Sequence, residues 1–469
     1  MSDRRRADLS EWFACIAINV LLFMAVWSWD HKSPELAEPL LYVCGAIVAI
    51  TFLSIFLRGV RAVPGGVGRL LKDPVLYIGA ALCAYLLIMA TNSAWPTGMG
   101  DDVTVAWYSQ APERPGWPSS IDGPLARYVF ILILCMVSTA VCIRQVFQTR
   151  SSVRILLTLV MCQGLLQALF GIVQYASGTD YQYWAIARGR HFFGSFSYEN
   201  HASQYFYLTL CIAGAVLCHW LRRGKASGSI KALICKVALP IAFLFFAIVF
   251  SLGRAGIVFG GVALAVSGYY LLRLVAARAD SSSQLQLFTA IAAVFLTAIV
   301  FASSTLGDDV RRDFSYSRPG TTVVGKALDS RTWQWAAALD LWRNNPVAGI
   351  GSNGFRYYVG YYVEGSEAGV LSQDFIGQAH NDYLQYLAEF GIVGWVGWMT
   401  VMLLLILRPI RAWSWQRPWI LLPTLGAGMV LVHACLDLPF RSIPVATLWV
   451  IALCSAGQYA ILSADLKSE

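Results

Sequence analysis

The chain has 469 residues, of which 57% are hydrophobic and only 13% charged, with a formal net charge of +8. Soluble globular domains carry about a quarter charged residues, so this composition excludes an ordinary soluble globule and indicates an all-α protein that crosses a membrane many times. The positive balance sits in short connections between apolar runs, which reads as a topological signal, and no nucleic-acid partner is expected.

In chain order, apolar runs long enough to cross a hydrocarbon core are predicted at 12–29, 39–57, 74–91, 125–143, 153–175 and 202–221. They continue at 237–250, 255–272, 285–303, 390–407, 419–436 and 445–462. Each needs about 20 helical residues, so the expectation is about twelve transmembrane helices. Continuous apolar runs, as opposed to alternating ones, argue for helices over a barrel. The first run lacks a small-x-small cleavage site and reads as an uncleaved anchor.

Basic residues mark every second connection: Arg4, Arg5 and Arg6 before the first run, then Arg58, Arg61, Arg69 and Lys72, then Arg144, Arg150 and Arg154. The pattern recurs at Arg222, Arg223, Lys225, Lys231 and Lys236, at Arg273 and Arg278, and at Arg408, Arg411 and Arg417. The positive-inside rule puts these connections and both termini of a multi-pass protein in the cytoplasm. All 11 cysteines fall in or beside predicted spans, so neither a disulfide framework nor a cysteine-based zinc site is indicated.

A single membrane domain over 1–469 is expected, with two long insertions on the outer side. The smaller, 92–124, carries Trp95, Trp107, Tyr108 and Trp117. These aromatics can stack on sugar rings, although residence at the membrane interface is the more ordinary use of Trp and Tyr. The larger, 305–389, is rich in Arg, Asp, Tyr, Asn and Gly and is expected to be partly helical. Asp329-Ser330 is positioned to cap a helix running through Trp342, which Asn344-Asn345-Pro346 ends. Asp382-Tyr383-Leu384-Gln385 has the spacing of a capping box, which sets His380 just ahead of a helix leading into the tenth span.

Four polar clusters fall on the outer side: Arg188-Gly189-Arg190-His191 with Asn200-His201, Ser251-Leu252-Gly253-Arg254, Asp329-Ser330-Arg331, and Gln378-Ala379-His380-Asn381. The apolar stretch around Arg254 is too long for one crossing and leaves almost no loop, so Arg254 belongs at a tight hairpin near the bilayer surface. A charge there is costly and calls for an anionic partner. Arg190, Arg254 and Arg331 converging from separate segments suit a diphosphate, because guanidinium gives bidentate, permanently charged contacts to phosphate oxygens. His380 at a helix N-terminus feels a positive dipole end that favours neutral imidazole, the form able to take a proton from a hydroxyl. His433, Asp437 and Arg441, spaced by four, read either as a supporting network or as a simple ion pair. No metal-binding spacing such as HExxH occurs, so no metal and no cofactor are expected.

Gly194-Ser195-Phe196 with Asn200-His201, the Ser251-to-Arg254 turn, Asp329-Ser330-Arg331 with Trp335, Asn345-Pro346 with Gly349-Ile350-Gly351, and His380-Asn381 ahead of Gly391 and Gly394 together resemble the O-antigen ligase and O-antigen polymerase superfamily. The resemblance runs over 188–394 and rests on the order of the motifs. It departs from the family at Ser197-Tyr198-Glu199-Asn200, where members often carry a shorter Gly-Asn-Pro-Asn-like segment.

What the resemblance implies is a metal-independent, inverting glycosyltransferase that moves a glycan from an undecaprenyl diphosphate carrier to an acceptor hydroxyl on the periplasmic face. A ligase uses lipid A-core as the acceptor, and the His-Asn and paired-Gly spacing leans towards that reading. A polymerase of O-antigen or exopolysaccharide units uses a second carrier-linked glycan. A polysaccharide-lipid transporter or flippase is the rival of a different class, although transporters typically place charges near mid-membrane. His380, Arg254 and Arg331 are then the expected catalytic residues, with Arg190, Asn381, Asn200, His433 and Arg441 around the bound substrates.

Overall fold

The computed structural model describes residues 8–28, 37–60, 66–95, 112, 114–179, 181–187, 192–223, 230–277, 289, 296, 323–359 and 377–468. The chain is mostly helical in these segments. Among the described residues, nine helices are long and apolar enough to cross a membrane, and Lys236–Phe250 and Pro418–His433 are shorter apolar helices. Apart from 289 and 296, the predicted span at 285–303 lies outside the described residues.

Helices α1 (Leu9–Trp27) and α2 (Pro39–Val60) lead through the short α3 (Gly66–Leu71) into α4 (Pro74–Thr91), α5 (Gly123–Val146), α6 (Arg150–Ala176) and α7 (Glu199–Arg223). Then follow α8 (Ile230–Phe250), α9 (Arg254–Ala276), α10 (Val323–Asn344), the single turn α11 (Phe355–Tyr358), α12 (Asp382–Arg411), α13 (Pro418–His433) and α14 (Ile443–Ser468). Spans α5, α7 and α14 are buried along most of their length and form the centre, whereas α2, α4 and α12 turn a larger share of their surface outwards. Their starts are set by local chemistry: Asp73 and Asp122 cap α4 and α5 ahead of an early proline, and Thr149 caps α6.

One end of the bundle gathers the described parts of the connections, 92–95, 114–122, 177–179, 181–187, 192–198, 251–253, 345–354, 378–381 and 434–442. The residues 93–95 and 120–122 of the smaller insertion pair as two parallel strands, with Ser93 opposite Ser120. Tyr357 of α11 donates to Asp122 at 3.0 Å, which ties the larger insertion to the smaller one. Trp107 and Tyr108 lie outside the described residues, and Trp117 is exposed.

Two local expectations are corrected. Asp329 and Ser330 lie inside α10, which begins at Val323, because the helical run extends two turns upstream of the apparent cap. The N-cap of α12 is Asn381, in the extended conformation a cap requires, and its side chain accepts from Leu384 N at 3.1 Å. Asp382 is instead wholly buried, its carboxylate accepting from Phe440 N at 2.8 Å.

Helix α12 breaks at Gly391, where φ is 60° and ψ is −173°, a conformation essentially confined to glycine. A break inside a membrane helix frees backbone donors and acceptors that lipid cannot satisfy. Here the segment 346–351 enters the gap and supplies them. Ile350 and Gly351 N–H donate to the carbonyls of Ala388 and Glu389 at 3.0 Å, while Ile392 and Val393 N–H donate to those of Pro346 and Val347 at 2.8 and 3.3 Å. The Tyr85 hydroxyl closes the joint, 3.1 Å from Ala348 O and 2.8 Å from Phe390 O. A Cβ on Gly391 would lie 2.2 Å from Val347 O. The Asn345-Pro346, Gly349-Ile350-Gly351 and Gly391-x-x-Gly394 motifs are therefore parts of one joint, which fixes the half-helix that carries His380.

Candidate active site

His380 sits in the left-handed region, with φ at 48°, a conformation that costs an L-residue with a side chain on the order of 1 kcal/mol. Its loop is stitched to the connection after α13: Asn381 Nδ2 donates to Cys435 O at 3.0 Å, and Asp382 N donates to Ala434 O at 3.0 Å. This brings His380 Nδ1 to 3.4 Å from Asp437 Oδ1.

Asp437 is the hub of the site. Its side chain is 2% exposed, against 21% for His380. Besides His380, it accepts from the Tyr198 hydroxyl at 3.1 Å and from Gln204 Nε2 at 3.4 Å, and His433 Nε2 lies 3.7 Å from its Oδ2. Burial alone raises a carboxyl group, but the hydrogen bond from His380 and the nearby charges of His433, His380 and His201 override it and bring Asp437 down to about 2. It is therefore an anion that only accepts. The nitrogen of His380 facing it carries the proton, which leaves Nε2 as the basic one. Burial and the Asp437 charge push the Tyr198 phenol well above its usual range, so Tyr198 remains a donor.

Tyr198 connects this hub to α7 and α9. Asn200 Nδ2 donates to the Tyr198 hydroxyl at 2.7 Å. Across from Asn200, the chain turns from α8 into α9 through Leu252, with φ at 61°, which is the tight hairpin expected from the sequence. Glycine brings the two helices close: a Cβ on Gly253 would meet Asn200 Oδ1 at 2.9 Å, and one on Gly256 would meet Ser203 Oγ at 2.1 Å. Arg254, the first residue of α9, is exposed beside this contact.

Arg331 is half-buried on α10, which packs Ala337, Ala338 and Leu341 against Ile350, Ala379 and Ala388. Arg190 lies outside the described residues.

His433 is buried against Phe259 and Tyr207. Arg441 pairs not with Asp437 but with Glu389, at 2.5 Å, in an ion pair that is almost wholly buried, and its guanidinium stacks over Tyr386. His201 Nε2 lies 3.0 Å from Leu438 O, a carbonyl that can only accept. Among the described residues no group of three or more His, Cys, Asp and Glu side chains is arranged to hold a metal ion.

Of the residues expected from the sequence, His380, Asn381 and Asn200 lie around Asp437 and Tyr198, Arg254 follows the glycine that packs on Asn200, and Arg331 stands on α10. Sequence reading underrated Asp437 and passed over Tyr198, Gln204, Gln385 and Glu389. The available signal was acidity: a carboxylate at the edge of an apolar span is costly unless partnered.

These features define a polytopic helical membrane protein with a polar, histidine- and arginine-bearing site at one end of its bundle. A family model described as O-antigen ligase matches residues 239–399, a stretch that holds Arg254, Arg331, His380 and the α12 joint. The match supports the place of this chain in the O-antigen ligase and polymerase superfamily, and the family indicates ligase- or polymerase-type function. No curated protein matches the chain.

Proposed function

We propose that the protein is a glycosyltransferase of the bacterial inner membrane, with both termini cytoplasmic, that works at the periplasmic surface on a glycan carried by undecaprenyl diphosphate. The acceptor hydroxyl gives its proton to His380 Nε2 as its oxygen forms a bond to the anomeric carbon. The bond from that carbon to the carrier diphosphate breaks on the opposite face, with inversion. Asp437 holds the imidazole in the productive tautomer and stabilises the imidazolium as it forms. Arg254 and Arg331, joined by Arg190, stabilise the negative charge growing on the departing diphosphate, the kind of electrostatic contribution that usually dominates such catalysis. Asn200 and Asn381 border the substrates; His433, expected there from the sequence, is buried behind Asp437 and acts through it, as Arg441 acts from beneath through Glu389. No metal or cofactor enters this scheme.

The observation that carries this reading is the His380–Asp437 pair at 3.4 Å, linked through Tyr198 and Asn200 to the start of the arginine-bearing helix α9. Of the two acceptors, lipid A-core is preferred because of the His380-Asn381 and Gly391-x-x-Gly394 spacing, which makes the protein an O-antigen ligase. A polymerase would extend one carrier-linked glycan with another. Purified protein in proteoliposomes, supplied with carrier-linked glycan and lipid A-core, is expected to form the joined product, and the H380A and R254A variants to lose it while inserting normally. Wild-type transfer by both variants would remove the mechanism. A deletion strain that accumulates long carrier-linked polymer indicates a ligase, and one that yields single repeats a polymerase.

A further inference from the structure

We propose that Gln385 and Glu389 are positioning residues that hold His380 in its left-handed conformation. The inference rests on the glycosyltransferase reading and adds to it a device of the same site.

Gln385, on the first turn of α12, points back at its own N-terminal loop. Its Oε1 accepts from Ala379 N at 2.8 Å, and its Nε2 donates to Gln378 Oε1 at 2.7 Å and to Glu389 Oε1 at 3.0 Å. Both residues flanking the loop side of His380 are therefore tied to one amide group. Glu389, one turn further along, accepts from Arg441 Nη2 through Oε1 and from Asn353 N at 3.0 Å through Oε2. Neither Gln385 nor Glu389 is exposed.

The arrangement is a strut. Glu389 is anchored to two elements far apart in the chain, the glycine-rich turn at Asn353 and the turn at Arg441, and Gln385 carries that anchorage to the backbone immediately before His380. Asn381 clamps the other side through the Leu384 amide and the Cys435 carbonyl. A residue with φ at 48° relaxes towards the ordinary regions unless its surroundings hold it, and relaxation would swing the imidazole away from Asp437. Neither Gln385 nor Glu389 is among the groups bonded to Asp437, so they act on the chemistry only through the placement of His380. A buried polar network restrains the groups it joins, and loss of one link leaves its neighbours without partners.

The test is Gln385→Met, which keeps the volume and removes both hydrogen-bonding groups, with Gln385→Asn, which keeps the amide on a shorter arm, as the second variant. For Q385M, kcat of glycan transfer in proteoliposomes is expected to fall by about 10- to 100-fold, the range a misplacement on the order of 1 Å produces. KM for donor and acceptor should stay within about threefold. Q385N should show the same kcat-only loss, smaller in size. In the H380A background Q385M should change the residual rate by no more than about twofold, because nothing remains to position.

A Q385M enzyme with wild-type kcat, a loss residing in KM, or an equal loss in the H380A background would each overturn the proposal. Wild-type transfer by H380A itself would instead remove the enzyme reading on which it rests.

Discussion

Gly256→Ala is a small change with a large expected effect. The added Cβ would lie 2.1 Å from Ser203 Oγ, 2.2 Å from Ser203 Cβ and 3.5 Å from Ser203 Cα. Rotating the serine does not relieve the second contact, and it breaks the 2.8 Å bond from Ser203 Oγ to Asn200 O. Ordinary carbon contacts are about 3.5–4.0 Å, so the start of α9 must move about 1.5 Å from α7, carrying Arg254 with it. Overpacking of this kind costs about 1–3 kcal/mol of stability, and displacement of a charge-stabilising group by 1 Å or more costs about 10²-fold in rate.

The assay is glycan transfer by purified protein in proteoliposomes, beside a thermal melt. Ser203→Gly removes both clashing atoms and leaves only the ordinary contact to Cα, so G256A/S203G should recover to within about threefold of S203G alone. Ser203→Ala leaves the Cβ contact and should not rescue. Full activity in G256A, or a double variant no better than the single one, would refute the idea that the α7–α9 spacing places Arg254.

Two other perturbations probe the hub and the helix joint. Asp437→Asn keeps the shape but removes the anion opposite His380, and transfer should fall by about 10²-fold or more with little change in KM; a change below about threefold would count against the His380–Asp437 pair. The same variant tests pH dependence: the native carboxyl titrates at about 2 against an ordinary 3.8. The stability this adds, on the order of 2 kcal/mol, is therefore fully present above pH 4 and lost as pH falls through 2. The melting-temperature gap between wild type and D437N should close over that interval, and a gap unchanged at pH 2 would contradict it. Tyr85→Phe removes the hydroxyl facing the Ala348 and Phe390 carbonyls and should lower stability by about 1–2 kcal/mol, measured by thermal unfolding; an unshifted melt would mean the joint does not depend on it.

Much of this protein is local in origin and so is written in the chain. Hydropathy over about 20 residues is a property of consecutive side chains, which is why the described membrane helices stand where apolar runs predicted them. The shortage of loop residues around Arg254 forces a hairpin, and the polar break before the tenth span puts His380 at a helix start. Near its ends a helix depends on backbone conformation, which composition does not settle: the cap fell to Asn381 and not Asp382, and α10 began well before Asp329.

Tertiary structure alone decided which groups meet. Asp437 lies 57 positions from His380, and Arg441 lies 52 from Glu389, although its spacing of four suggested Asp437 as the partner. No period in the sequence encodes such pairs, because they depend on which faces of separate helices are pressed together once lipid excludes water. The same holds for the α12 joint, where the backbone of one segment fills the break in another. A buried charge or an open backbone group must find a partner, and in this chain the partners come from distant turns brought together by packing.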